Sequence, residues 1–381
     1  MKILFLDQSG KPGGAELCLL DVARPYRDSC LVGLLADGSF RELLEQNAIP
    51  VEVLTNQSIQ VQKDSSLLKG LLSLRSLLTP IRRAVQLSHE FDVIYANTQK
   101  ALVVGAIASF LSRRPLVYHL HDIVSAEHFS RINQTIIIQL ANQFASAVIA
   151  NSEATEAAFI QAGGRAEFVH RVYNGFNPDR YIISPTQTEI LRHQLQIHDQ
   201  FVVGHFSRLA PWKGQHVLIE ALAHCPADVV VLLVGDALFG EQAYVEQLHH
   251  QIEQLGLQDR VRFLGFRSDI PQLMAACNLV AHTSTAPEPF GRVIVEAMLC
   301  GTPVVATAAG GVIELIEPEK TGWLAAPGDT WQLAAVIDHC YHHPAQMASI
   351  SQHAKLQAVQ RFHLEIIQPQ IAAVLQFAAT I

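Results

Sequence analysis

The residues best suited to chemistry fall in a few short stretches. In His282–Gly311, HTSTAPEPFGRVIVEAMLCGTPVVATAAGG, two carboxylates lie eight positions apart. Glu288 sits in the Pro-rich loop Pro287–Gly291 and Glu296 inside the helix expected to follow. A helix starting near Phe290-Gly291 turns its unpaired backbone N–H groups back toward Glu288. A positive helix end, with one acid before it and another one to two turns in, suits a ligand carrying anionic and hydroxyl groups. It also suits a buried helix start with two satisfied acids, and the stretch alone does not choose.

Ser207–Gly214, SRLAPWKG, adds Arg208 and Lys213 beside a second expected helix N-terminus. Two cations there can neutralise a diphosphate, Arg through its planar fork and Lys as a point charge. A solvated basic loop is the alternative. In Leu116–Asp122, alternation along an extended chain puts His119 and His121 on one face. His121, at the strand end, is the better site candidate, with Asp122 placed to orient its ring; a structural histidine is the commoner outcome. Gly13 and Gly14, within SGKPGGAE, remove side chains where a helix starts and let backbone approach a phosphate or sugar. They are equally a tight strand-to-helix turn. Gly235-Asp236 and Gly265-Phe266-Arg267 follow two more strand-like runs, and the latter could hold a flat base through backbone groups. Gly310-Gly311 is a further place for close backbone approach.

These stretches need elements to position them. Continuously apolar runs recur at Ile3–Leu6, Leu31–Leu35, Val51–Leu54, Val93–Ala96, Leu116–Leu120 and Ala147–Ala150. They recur again at Phe201–Phe206, Val229–Val234, Val261–Leu264, Leu279–His282, Pro303–Ala306 and Gly322–Leu324. Helix-like segments separate most of them. Strands apolar on both faces and alternating with helices indicate parallel, doubly wound α/β sheets. Ligands in such sheets gather beyond the carboxyl ends of the strands, where the candidate residues fall. The turn-rich Val172–Pro178 marks a boundary, giving a first domain over 1–178 and a second from 179, two Rossmann-like domains facing across a cleft.

The 381 residues suit two domains. A formal charge of −8 and a pI near 6.1 argue against a nucleic-acid partner. Six scattered cysteines without a CxxC pair suit free thiols in the cytoplasm. No apolar run reaches the roughly 18–20 residues that span a bilayer. Leu67–Leu87 is Leu-rich with Lys69, Arg75, Arg82 and Arg83. Such a helix packs on its own sheet, with Pro80 expected to interrupt it, although peripheral membrane contact stays open. His339, Cys340, His342 and His343 suit a surface cluster near a helix end better than a metal site. The chain has no D-x-D pair, HExxH, GxSxG, GxxxxGK[ST] or post-strand GxGxxG.

With these residues in view, the chain resembles the GT-B glycosyltransferases, specifically the retaining family 4, glycosyl transferases group 1. GGAE, His121 in LHD, Arg208 and Lys213 in SRLAPWKG, and E-x7-E within EPFGRVIVEAM followed by GTPVVAT and GG carry the likeness. It implies a donor domain over 179–361 and a terminal helix, 362–381, crossing back to the first domain. It further implies that Arg208 and Lys213 stabilise the donor diphosphate and that Glu296 binds the ribose hydroxyls. Glu288, with backbone of Phe290 and Gly291, would hold the transferred sugar, and His121 would meet that sugar. Gly13 and Gly14 would line the phosphate or acceptor side, Gly235 would lie near the donor, and Phe266 and Arg267 would flank the base. The implied reaction moves a hexose from a UDP- or GDP-sugar to a carbohydrate or lipid-linked acceptor with retention, in glycan, polysaccharide or glycolipid synthesis. Diphosphate stabilisation by Arg and Lys needs no divalent metal, in keeping with the missing D-x-D. A nucleotide-sugar epimerase or phosphorylase of the same fold is the alternative; an exported sugar-binding protein and a nicotinamide dehydrogenase fit less well.

Overall fold

The computed structural model describes residues 1–55, 67–237 and 240–380, with backbone alone over 67–76. The chain divides into two compact units, Met1–Gly175 with Leu364–Ile381, and Phe176–His363.

The first unit holds a seven-stranded parallel sheet of β1 (Ile3–Asp7), β2 (Cys30–Leu34), β3 (Val51–Val53), β4 (Val93–Ala96), β5 (Leu116–Leu120), β6 (Ala145–Ala150) and β7 (Val169–Arg171). The order is β3-β2-β1-β4-β5-β6-β7. β1, β4 and β5 are buried along their whole length, as continuous apolar runs require. Helices cover both faces. Ile367, Ile371, Val374 and Leu375 of the last helix, Leu364–Thr380, join Phe5, Val32 and Tyr95 in one core.

The second unit holds six parallel strands, β8 (Phe201–Phe206), β9 (Val229–Val234), β10 (Val261–Gly265), β11 (Leu279–His282), β12 (Val304–Thr307) and β13 (Trp323–Ala325), ordered β10-β9-β8-β11-β12-β13. The order reverses beside β8, with β9 on one side and β11 on the other. This switch point is where an open α/β sheet gathers its ligand.

Two expectations change. The helix Leu67–Ser88 runs through Pro80 without a break. Ala84 and Leu87 beyond the proline are buried in the core with Leu102 and Tyr118, and this packing offsets the roughly 3 kcal/mol a mid-helix proline costs. The side chains of Lys69 and Arg75 lie outside the described residues; Arg83 forms a two-point pair with Glu52 at 2.6 and 2.9 Å. β7, three half-exposed residues at the sheet edge, had no apolar run to announce it. Among the described residues, no helix is long and apolar enough to cross a membrane.

Candidate active site

In the second unit the switch-point loops converge on Glu288. β8 feeds a short turn, Pro211–Lys213, and then the helix Gln215–Leu222. Gly214 joins them at φ 71°, and a Cβ there would stand 1.9 Å from the Thr283 carbonyl oxygen. Only glycine lets the two loops meet this closely. Thr283 secures the junction by donating to the carbonyls of Gly214 at 2.9 Å and Lys213 at 3.1 Å. The Thr285 amide donates to the Trp212 carbonyl at 2.8 Å. Lys213 is thereby delivered to the loop that follows β11.

There, three donors meet one oxygen. Lys213 Nζ donates to Glu288 Oε1 in a short ion pair. Ser284 Oγ donates to the same oxygen at 2.6 Å and His282 Nε2 at 3.1 Å. Glu288 is 6% exposed. Burial alone would raise its pKa, but the Lys213 charge and the His282 hydrogen bond together outweigh burial and hold it well below the usual carboxylate range. Neighbouring His205 is pushed down to about 3, by burial first and then by the His282 charge, so it stays neutral. It holds Thr283 Oγ1 at 3.1 Å.

Gly310 and Gly311 clamp the Glu288 loop from β12. Gly310 has φ 64°, and a Cβ there would lie 2.2 Å from the Glu288 carbonyl oxygen. The Gly311 amide donates to that oxygen at 2.8 Å. Thr307 Oγ1, at the end of β12, donates to the Ser284 carbonyl at 2.7 Å.

The nine-residue helix Arg292–Cys300 starts at Gly291, φ 97°. Glu296 is 3.5 Å from Arg292 Nη2, one turn back, and both side chains are largely buried. The Arg292 guanidinium also stands 4.5 Å from the centre of the Phe176 ring. Phe290 is 2% exposed and stacks on Phe176, so its backbone is the part near Glu288. Arg208 lies 5.6 Å over the Trp212 ring, with its carbonyl held by Gln215 Nε2 at 2.9 Å. Lys213 lies 4.0 Å from the same ring. The Gly235 amide donates to the Gly265 carbonyl at 2.9 Å. Phe266 is 70% exposed beside it, and Arg267 is held by Asp269 at 2.6 and 2.8 Å.

The structure thus brings Lys213, Glu288 and Gly310-Gly311 into one network, and Gly291 starts the helix that follows. Sequence reasoning had not found His282, Ser284, Thr283 and Arg292. His282 and Ser284 border the Glu288 loop, and polar residues at a strand end were the available signal.

In the first unit, Gly13 caps the helix Gly14–Ala23, and its amide donates to Glu16 Oε2 at 2.9 Å. Asn97 donates through Nδ2 to Asp7 Oδ2 at 2.7 Å and to the Ala15 carbonyl at 3.1 Å. This fixes its amide, so Oδ1 accepts from His121 Nε2 at 2.9 Å. His121 therefore keeps Nδ1 as its acceptor nitrogen. Burial raises both Asp7, to about 6, and Glu16, to about 8, and the Asp7 charge adds to the Glu16 shift.

Two family models match: Glycosyl transferases group 1 over residues 187–357 and Glycosyl transferase 4-like domain over 13–175. A crystal structure of Anabaena HepE in complex with UDP-glucose is 61% identical, covers 99% of both chains and has a TM-score of 0.93. D-inositol 3-phosphate glycosyltransferase of Mycobacterium marinum is 28% identical over 65% of this chain, and the match spans only 55% of its own length. Sucrose-phosphate synthase of Thermosynechococcus elongatus, at 20% identity and a TM-score of 0.83 over 98% of both chains, shares the fold. The two parallel sheets are those of the GT-B fold. The chain belongs to the glycosyl transferases group 1, the GT-B glycosyltransferases of family 4.

Proposed function

We propose that this chain transfers a sugar, with glucose first in line, from a UDP-linked donor to a carbohydrate hydroxyl, free or lipid-linked, in glycan synthesis. The observation that carries the reading is Glu288, a buried carboxylate held ionised at the switch point by Lys213, His282 and Ser284. UDP and UDP-glucose come from the complexes of Anabaena HepE.

In this reading Glu288 Oε2 accepts a donor-sugar hydroxyl while Oε1 stays with its three donors. The N-terminus of Arg292–Cys300, with Arg208 and Lys213, takes the diphosphate. Glu296 takes the ribose hydroxyls, and Phe266 and Arg267 flank the base near Gly235. His121 recognises a substrate hydroxyl through Nδ1, and Gly13 and Gly14 offer backbone amides on the acceptor side.

The bond between the anomeric carbon and the phosphate oxygen breaks, and its electron pair passes to the diphosphate. Arg208 and Lys213 stabilise that developing charge. The acceptor oxygen bonds the anomeric carbon from the same face, its proton passes to the departing phosphate, and configuration is retained. Glu288 orients the sugar and forms no covalent intermediate. Cation stabilisation of this kind makes a divalent metal unnecessary. A cytoplasmic location, with or without peripheral membrane contact, belongs to the same proposal and is supported by six free thiols.

The test is transfer of glucose from UDP-glucose to an acceptor panel with and without EDTA, with the anomer followed by NMR. Undiminished transfer in EDTA, with an α-linked product from the α-linked donor, is expected. Epimerised donor, an inverted product or an absolute metal requirement would contradict the reading.

A further inference from the structure

The pleat of β5 places His119 and His121 on one face, and their ring centres are 3.9 Å apart. Cys18, on the helix Gly14–Ala23, comes to the same point. A ligand-capable atom from each of the three residues lies within 4.8 Å of those of the other two. Cys18 and His119 are buried and His121 is half-buried.

A second observation points to an ion. His119 is 1% exposed, and its Nε2 has no hydrogen-bond partner among the described residues. Its Nδ1 is engaged by the Tyr95 hydroxyl. Buried polar atoms are ordinarily satisfied, so this nitrogen calls for an explanation. Donation from Nδ1–H to the tyrosine oxygen leaves Nε2 with the lone pair a metal needs.

The surroundings are those of metal ligands. Each one touches an outer residue: His119 with Tyr95, His121 with Asn97 at 2.9 Å, and Cys18 with Asn174 Oδ1 at 3.3 Å. Such partners set the tautomer and orientation of ligands. Asn97, anchored by Asp7 and Ala15, leaves Nδ1 as the acceptor nitrogen of His121.

One thiolate and two imidazoles select a borderline-soft ion of the zinc class over magnesium, calcium or manganese. Ligand bonds of about 2.3 Å to sulfur and about 2.0–2.1 Å to nitrogen need the three atoms to close further, which side-chain rotation supplies. The thiol proton leaves to solvent as the sulfur–metal bond forms, and Asn174 turns its amide to donate to the thiolate.

We propose that Cys18, His119 and His121 form a binding site for one Zn²⁺-type ion, and that its occupation inhibits transfer by taking the Nδ1 of His121. The inhibitory consequence rests on the role given to His121 above; the site itself does not.

Cobalt(II) is the probe. Untagged, chelator-treated full chain is titrated with Co²⁺ and followed for a thiolate-to-cobalt charge-transfer band. One equivalent is expected to bind and to be displaced by Zn²⁺. The band is expected to vanish in Cys18→Ser, to weaken at least tenfold in affinity in His119→Gln, and to survive in His343→Ala, a control for the His339–His343 pair on the surface. Circular dichroism and Tm confirm that each variant is folded. Zn²⁺ at saturation is expected to lower transfer at least tenfold in the wild type and not in Cys18→Ser, whose basal rate is kept. No band in the wild type, or one that survives Cys18→Ser, overturns the site. Full cobalt binding without inhibition overturns the regulatory consequence. A chain that binds cobalt as expected yet never transfers sugar sinks the transferase reading and leaves the site standing.

Discussion

At the strand ends of the second unit, a buried carboxylate is surrounded by donors. At those of the first, burial raises two carboxylates, and the charge of one raises the other further. Glu288 is kept ionised because the Lys213 charge and the hydrogen bond from His282 outweigh burial. Asp7 and Glu16 lie equally deep, yet burial dominates, and the Asp7 charge pushes Glu16 up to about 8. Two sheets of one architecture therefore carry opposite electrostatics. The second keeps a fixed negative charge beside Lys213, and in the first Glu16 holds its proton up to about pH 8. Depth of burial does not decide the charge state; the partner that a neighbouring loop delivers does.

Removing that partner is the hardest test. Lys213→Ala is expected to lower kcat/KM about 10²–10³-fold, the usual cost of one transition-state donor. It also strands Glu288, so stability falls by about 3–5 kcal/mol. Lys213→Ala with Glu288→Gln should recover most of that stability and none of the activity. Thermal unfolding and steady-state kinetics on the three proteins check both halves.

The first unit makes the opposite prediction. Because Glu16 binds its proton more tightly folded than unfolded, stability falls as pH rises from about 4.5 to about 8 and is then constant. Glu16→Gln keeps an acceptor for the Gly13 amide and removes the titration. Its stability should be flatter across that window, and a few kcal/mol higher relative to wild type at pH 8 than at pH 4.5, given about 1.4 kcal/mol per pKa unit. Denaturant melts across the range decide it. An identical slope in both proteins would show that Glu16 is ionised in the fold.

Gly310→Ala probes the clamp on the Glu288 loop. A positive φ of this kind costs a side chain about 1–3 kcal/mol. A Cβ 2.2 Å from the Glu288 carbonyl oxygen adds to that. A Tm fall of about 4–8 °C is expected for about 2 kcal/mol in a unit of this size, with donor binding weakened alongside.

These contrasts were unequally legible in the sequence. The buried strands showed as unbroken apolar runs, and β4, β5, β8, β9 and β11 occupy the expected residues. The short edge strand Val169–Arg171 did not show, because its half-exposed residues leave no such run. Glu288, Lys213 and the glycines stood out as residue types. The bond between Lys213 and Glu288 did not, since the partners are 75 positions apart and only the adjacency of β8 and β11 joins them. The residue type of Lys213 suggests a diphosphate ligand, and the structure adds its ion pair with Glu288. The pairing of His121 with Asn97 was hidden for the same reason: it depends on β4 lying beside β5.

The central claim is that the switch point of the second unit binds a nucleotide sugar through Glu296 and the helix that carries it. Calorimetric titration of UDP into wild type and Glu296→Ala tests it most directly. The expected result is one site per chain, weakened about tenfold in a variant that circular dichroism shows to be folded, about 1.4 kcal/mol and the scale of one hydrogen bond to a charged group. Equal UDP affinity in the two proteins, or no UDP binding by a folded wild type, would contradict it.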